Sequence, residues 1–384
     1  MGKFNLDQVI CRENTCSVKN DYRNCNEMIC MWVADMDFAV APAIQEAIKK
    51  RAEHPIFGYS YVPDRLFTAV SKWYFKYQGV LYNPKNMITY CSVVSAITLT
   101  LLALTKEGDT VTTFAPTYMN FPPAVTSVKR NIIYSKLLNT ENGFVIDYED
   151  LDRCLAKSKV YLHCSPHNPT GRVWTIEEQK KIAELCEKHH VLVISDEIHS
   201  DLIMPGYKHI PFMDITQKSR DYTVTMISAT KTFNLANNGV AFIIPGNDSM
   251  YTLIKDYQES LHLNSMNIFA STAVLAAYES GDEWLGEVID YVDSNYRLIK
   301  NFIETKLPKI KVTQLQGTYL MWLDCRKLGQ PVVDFFESTA KILGEDGILF
   351  GPAGQGYYRL NIASPKSVIN EVLSRIETAY QKLK

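Results

Sequence analysis

Four apolar runs of this 384-residue chain end in side chains that could act on a ligand. "SATKTFN" (228–234) sets Lys231 among Ser228, Thr230 and Thr232, directly after the β-rich "YTVTMI". A lysine held in a desolvated pocket has a lowered pKa and can serve as a nucleophile or Schiff-base former. "SDEIH" (195–199) offers Asp196, and a carboxylate buried there needs a cationic partner, because an unpaired buried charge is too costly. "SPHNPTG" (165–171) offers Asn168 as a donor to an oxygen anion. "APTYMNF" (115–121) offers Tyr118, whose ring could stack on another flat ring. A fifth stretch, "YCSVVSAI" (90–97), is a strand-to-helix turn of small residues. Its amides at Val93 and Val94, with the Ser228 and Thr230 hydroxyls, could hold a phosphate.

Taken singly, each feature has a plainer explanation. A strand-end lysine is usually solvated, "NPTG" is a turn by composition, and Asp196 could simply cap the next element. Together they supply an amine for an imine, a carboxylate for a pyridinium, a donor for a phenolate, a ring stack and a phosphate cup. Those are the requirements of pyridoxal 5′-phosphate. A metal is not expected. The N-terminal Cys11, Cys16, Cys25 and Cys30 have a spacing that matches no common zinc finger.

The elements that must position these residues follow from periodicity. Between about residues 85 and 245, "MITYC", "DTVTTFAP", "NIIYSKLL", "KVYLHCSP", "VLVISDEI", "YTVTMISA" and "GVAFIIP" read as seven strands. Amphipathic helical patterns separate most of them, and "TIEE" (175–178) is a capping box that starts one helix. Buried strands alternating with helices imply an α/β fold with a mainly parallel, mixed sheet sandwiched by helices. In such sheets ligands sit outside the carboxyl ends of the strands, where the motifs lie. The last hundred residues carry the helical "WLGEVIDYVDSNYRLIKNFIETKL" and "VVDFFESTAKIL", the strands "TYLMWLDCR" and "YYRLNIA", and a final helix. The expected division is a large domain, 45–284, and a smaller α/β domain from 1–44 and 285–384.

Composition narrows the partners. Apolar residues make up 46% and the formal net charge is −2, so nothing electrostatic favours nucleic acid or an anionic membrane. The sequence shows neither the apolar core of a signal peptide nor a transmembrane run. Nine cysteines without a C-x-x-C pair read as free thiols in a reducing cytoplasm.

The order of motifs adds more than any of them alone. "VADMDF" (33–38), "FGYS" (57–60), "SPHNPTGRVW" (165–174), "SDEIHSDLIMPGY" (195–207), "KTFN" (231–234), "GTYLMWLD" (317–324) and "YRLNIASP" (358–365) run through the chain. In that order they resemble the fold-type I pyridoxal-phosphate enzymes of the class I/II aminotransferase superfamily, and more closely the cystathionine β-lyase and cystalysin branch of C–S β-lyases. The resemblance implies that Lys231 bonds the cofactor and then moves the substrate's Cα proton. It implies that Asp196 pairs with the ring nitrogen, Asn168 donates to the ring oxygen and Tyr118 stacks on the ring. Val93, Val94 and Ser228 would contact the phosphate, His199 would stand beside the cofactor, and Arg359 would grip the substrate carboxylate. Ala34 and Asn168 would face the substrate. Tyr59 would reach the neighbouring active site of a homodimer.

The activity so implied is α,β-elimination from cystathionine or a related cysteine S-conjugate. An aminotransferase on the same scaffold is the alternative, and a cofactor-binding regulatory protein a second one. Gly239 stands where aspartate-type aminotransferases commonly carry an arginine, which favours the lyase. Ser92, Ser95, Met119, Asn237 and Asn238 depart from the usual pattern, and bear on substrate choice.

Overall fold

Runs of β-branched and aromatic residues form the strands of the chain. The computed structural model describes residues 2–22, 27–141, 143–263 and 266–383. In chain order the strands are β1 (Ile29–Cys30), β2 (Ile88–Tyr90), β3 (Thr110–Ala115), β4 (Asn131–Thr140), β5 (Gly143–Ile146), β6 (Val160–Cys164) and β7 (Leu192–Asp196). They continue with β8 (Thr223–Ile227), β9 (Ala241–Pro245), β10 (Lys311–Val312), β11 (Leu320–Asp324), β12 (Ile342–Leu343), β13 (Glu345–Asp346) and β14 (Tyr357–Asn361).

Eight of these form one mixed sheet in the order β2-β9-β8-β7-β6-β3-β4-β5. The neighbours from β4 through β3, β6 and β7 to β8 are parallel, whereas β2, β5 and β9 run against their partners. Every residue of β6, β8 and β9 is buried, as expected for strands covered on both faces. The expected count of seven is therefore one short. The strand not anticipated is β5, which turns straight back on β4 to form the sheet's edge. It is only four residues long, too short for its alternation to stand out. The Asn-Gly pair before it is a hairpin signal.

Parallel pairing brings the carboxyl ends of β3, β6, β7 and β8 to one edge. That edge presents Ala115, Cys164, Asp196 and Ile227, and the four polar motifs leave the sheet there. The capping box holds: Thr175 Oγ1 accepts from the Glu178 amide, and the Glu178 carboxylate accepts from the Thr175 amide.

A second sheet, β10-β11-β14-β13, carries Arg359 on β14. The helix expected over "VVDFFESTAKIL" forms, but it ends earlier than expected. A short π-helical turn spans Asp334–Thr339, and Ile342–Leu343 instead form β12, parallel to β1. That ladder buries Ile342 completely and Leu343 almost so. The largest apolar cluster joins Met31, Met36 and Phe38 to Trp284 and Val288 of the helix Asp282–Lys306 and to Ile362 and Ala363. The N-terminal segment thus shares a core with the last hundred residues. Cys11, Cys16, Cys91, Cys154, Cys164, Cys186 and Cys325 are free thiols, and Cys25 lies outside the described residues. Among the described residues no helix is long and apolar enough to cross a membrane.

Candidate active site

β8 ends at Ile227, and Ser228 leaves it in extended conformation to cap the one-turn helix Ala229–Thr232. The Ser228 hydroxyl accepts from the Thr230 amide at 3.1 Å and donates to the Val240 carbonyl. This cap turns Lys231 away from the sheet, and its Nζ donates to the Ala34 carbonyl at 2.7 Å. Burial pulls the Lys231 pKa down to about 8, with Arg359 acting the same way and Asp35 and Asp196 opposing. An amine so placed is closer to neutral than a surface lysine, and more nucleophilic at physiological pH.

Asp196, the last residue of β7, is 4% exposed. Among the described residues its carboxylate accepts one hydrogen bond, from the Ile198 amide at 3.1 Å. Burial, with Glu197 adding to it, pushes its pKa up to about 7, against the Ile198 bond and the charge of Lys231. His199, one turn further on, is buried, and its Nδ1 has no hydrogen-bond partner among the described residues. Burial and the cations Lys231 and Arg359 lower its pKa to about 3, so the imidazole is neutral at pH 7.

Asn168 accepts at Oδ1 from Arg359 Nη1 at 3.0 Å, which leaves its amide nitrogen as a donor. Arg359 also donates to the Trp32 carbonyl at 2.9 Å and lies over the Phe350 ring, 4.8 Å from its centroid. Its Nε is buried without a partner among the described residues. Tyr118 accepts from Asn120 at 2.8 Å, and burial raises its pKa, so it stays a neutral phenol. Val93 and Val94 open the helix Val93–Leu104, which Ser92 caps by accepting from the Ser95 amide at 3.2 Å. First-turn amides have no partner within their own helix, and attract anions.

These side chains surround a cavity of about 170 Å³. Of the residues expected from sequence, Ala34, Val93, Val94, Tyr118, Asn168, Asp196, His199 and Lys231 line it. Arg359 reaches it through its hydrogen bond to Asn168. Ser228 is not in the lining, because its hydroxyl is used beneath it in the cap; Thr230 lines the cavity in its place. Tyr59 is fully exposed and takes no part in this chain's own cavity.

Sequence reasoning passed over three contributors. The Tyr319 hydroxyl donates to the Ala34 carbonyl at 2.9 Å. Asn234 and Asn361 hold the backbone on either side of Ala34. All three sit in motifs already noticed, "GTYLMWLD", "KTFN" and "YRLNIASP", and motif order was the signal that could have found them.

The cavity fits pyridoxal 5′-phosphate. The deciding observation is Asp196, a buried carboxylate with one amide partner and a pKa near neutrality. A protonated ring nitrogen is the partner it lacks. The Lys231 amine and the first-turn amides at Val93 and Val94 line the same cavity and supply the two remaining points of attachment.

Comparison with known proteins agrees with this chemistry. The protein is 37% identical over 355 residues to the cystathionine beta-lyase PatB of Bacillus subtilis, covering 91% of this chain and 92% of that one. It is 30% identical to protein MalY of Escherichia coli over 99% of this chain and 100% of the relative. Cystalysin from Treponema denticola, solved with a pyridoxal 5′-phosphate cofactor, superposes with a TM-score of 0.96 at 33% identity. That match covers 99% of this chain and 100% of cystalysin. The model of the aminotransferase class I and II family matches residues 27–376. Lysine, aspartate and asparagine at neighbouring strand ends thus coincide with a match over nearly the whole chain, which belongs to the class I and II aminotransferase family.

Proposed function

We propose that this protein is a pyridoxal-phosphate-dependent C–S β-lyase. It cleaves cystathionine or a related cysteine S-conjugate to a thiol, pyruvate and ammonia. The observation that carries this reading is the pairing of Lys231 and Asp196 across one small cavity, each with a pKa displaced toward neutrality.

When bound, the cofactor supplies an electron-withdrawing ring that takes up the charge left when the substrate loses its Cα proton. Asp196 keeps the proton on the ring nitrogen, for which its own burial suits it. Asn168 donates to the ring oxygen while Arg359 holds the other end of its amide. Val93, Val94 and Thr230 take the phosphate, Tyr118 stacks on the ring and neutral His199 stands beside it. Arg359 binds the substrate carboxylate, a planar anion that suits a guanidinium fork. Lys231 Nζ takes the Cα proton, within a general-base range set by its burial.

Tyr59, fully exposed here, serves the neighbouring site of a homodimer under the same reading. The division into 45–284 and 1–44 with 285–384 accords with it. The eight-stranded sheet falls in the first part, and β1 pairs with β12 in the second. Free thiols at Cys11, Cys16, Cys91, Cys154, Cys164, Cys186 and Cys325 suit a reducing compartment such as the cytoplasm.

The test is the loaded enzyme with cystathionine and no keto acid. Pyruvate and ammonia are expected, and Lys231→Ala should reduce their formation by roughly a thousandfold or more. Amino transfer that needs a keto-acid acceptor, without pyruvate release, would overturn the lyase reading.

A further inference from the structure

Residues 8–22 form a mostly exposed arm, from which two cations turn inward toward the loop of Ala34. Arg12 meets the Asp35 carboxylate as a fork, Nη1 at 2.9 Å and Nη2 at 2.6 Å. Its Nη1 also donates to Asp37 at 2.9 Å. Lys19, 1% exposed, lies 2.8 Å from both oxygens of Asp37 and 3.9 Å from Asp35. Ser364 completes Asp37 at 2.6 Å.

The loop between these contacts is pinned from the other side. Asn234, three residues after Lys231, accepts from the Met36 amide at 2.9 Å and donates to the Met36 and Phe38 carbonyls at 3.0 and 2.9 Å. Asn361 donates to the Val33 carbonyl at 2.7 Å and to that of Asp35. Between these pins the Ala34 carbonyl accepts from Lys231 Nζ at 2.7 Å and from the Tyr319 hydroxyl at 2.9 Å. Asp35 is bonded directly to that peptide. Its carboxylate therefore acts on the reactive amine, and Arg12 is the cation that meets it as a fork, with Lys19 farther off at 3.9 Å.

We propose that Arg12 is a positioning residue for Lys231. By engaging the Asp35 carboxylate in a fork, it offsets that charge near the amine and holds the Ala34 carbonyl against it. A lone carboxylate would bind the lysine as a salt bridge and keep it protonated, which a proton-abstracting amine must avoid. The charged groups that act on Lys231 are Asp35, Asp196 and Arg359. Of the two carboxylates, Asp35 acts the more strongly. His199 and Tyr118, on the other walls, are neutral at pH 7. The charge-assisted fork is only partly screened, with Arg12 and Asp35 side chains 21% and 17% exposed. The catalytic consequence rests on the function proposed above, but the proton affinity of Lys231 can be measured without it.

The experiment is competitive acetylation of Lys231 in the full chain freed of cofactor, read by peptide mass spectrometry as a function of pH. Arg12→Ala should move the midpoint up by about one pH unit, and Asp35→Asn down by a similar amount. The double variant should return to within about half a unit of the unmodified chain, because both charges are gone. Arg12→Lys, which keeps the charge but cannot form the fork, should move the midpoint up by less than Arg12→Ala does. The visible absorption of the cofactor-loaded variants should titrate with the same opposed signs. Shifts of equal sign, or none, in Arg12→Ala and Asp35→Asn would overturn the proposal, since mere loosening of the loop cannot produce opposite signs. Opposed shifts without pyruvate formation would sink the lyase reading alone. Pyruvate formation without opposed shifts would sink this one alone.

Discussion

Asp196 and Glu197 are neighbours in the chain, both buried, and surrounded in opposite ways. Glu197 is saturated: Oε1 accepts from the Ser195 hydroxyl at 2.7 Å and the Phe212 amide at 3.0 Å, and Oε2 meets His209 Nε2 at 3.0 Å. Among the described residues Asp196 has the Ile198 amide alone. Strand alternation explains the separation. The Glu197 amide still pairs with the Met226 carbonyl, so Ser195 and Glu197 share one face and Asp196 the other. A buried carboxylate short of partners costs folding free energy, and persists where something outside the chain completes it. One carboxylate belongs to the scaffold, and the other awaits a ligand.

The sharpest way to break this contrast is to neutralise Asp196. Asp196→Asn keeps the shape and loses the charge that holds a proton on the ring nitrogen. Turnover of the loaded enzyme should fall by roughly 10²–10³-fold, while the cofactor-free chain melts at least as high as the unmodified one at pH 8. A variant with full turnover would remove Asp196 from the chemistry.

The pH dependence of stability provides a second test. Asp196 titrates near 7 in the folded chain against an ordinary 3.8. Between those values the folded state keeps a proton that the unfolded state has released, so this group's contribution declines as pH rises. His163, His167 and His199, each lowered to about 3 by burial, act in the opposite sense. Over the same window the unfolded chain protonates them and the folded chain does not. The two effects separate by comparing the cofactor-free chain with Asp196→Asn, in which the histidines are unchanged. Relative to that variant, the unmodified chain should lose roughly a few kcal/mol between about pH 4 and pH 7, and added pyridoxal phosphate should abolish the difference. Parallel denaturation curves at every pH would mean that Asp196 is not held in its protonated form.

Much of this site was legible in the sequence because its chemistry lies at strand ends. Lys231, Asp196, Asn168 and Tyr118 each follow an apolar run that can only be a buried strand, and parallel pairing gathers such ends at one edge. What escaped was of another kind. Asn234 and Asn361 bond to backbone atoms about 200 and 330 residues away in the chain, and no local pattern encodes such a contact. Arg12 and Lys19 read as ordinary arm residues until the fold brings Asp35 and Asp37 to them. Ser228, expected at the phosphate, also caps the turn that carries Lys231, a second task that its place at a helix start explains. The strand β5 was too short to register by periodicity.

The smallest effect is expected at Glu197, and it should take the opposite form from Asp196→Asn. Glutamine at 197 keeps one acceptor oxygen and turns the other into a donor facing groups that also donate. Three partners point at this carboxylate. The Ser195 hydroxyl can rotate to accept, but the Phe212 amide cannot. His209 can accept at Nε2 only by moving its proton to Nδ1, which is buried without a partner among the described residues. Some donor is therefore left unsatisfied, for a loss of about 1–3 kcal/mol in denaturant unfolding. Turnover of the folded, loaded enzyme should stay within about threefold. Removing the Glu197 charge also lessens a repulsion on Asp196, which favours the ionised form that a ring nitrogen needs. A Glu197→Gln chain as inactive as Asp196→Asn yet fully stable would show that both carboxylates serve the ligand, and the contrast between scaffold and site would fall.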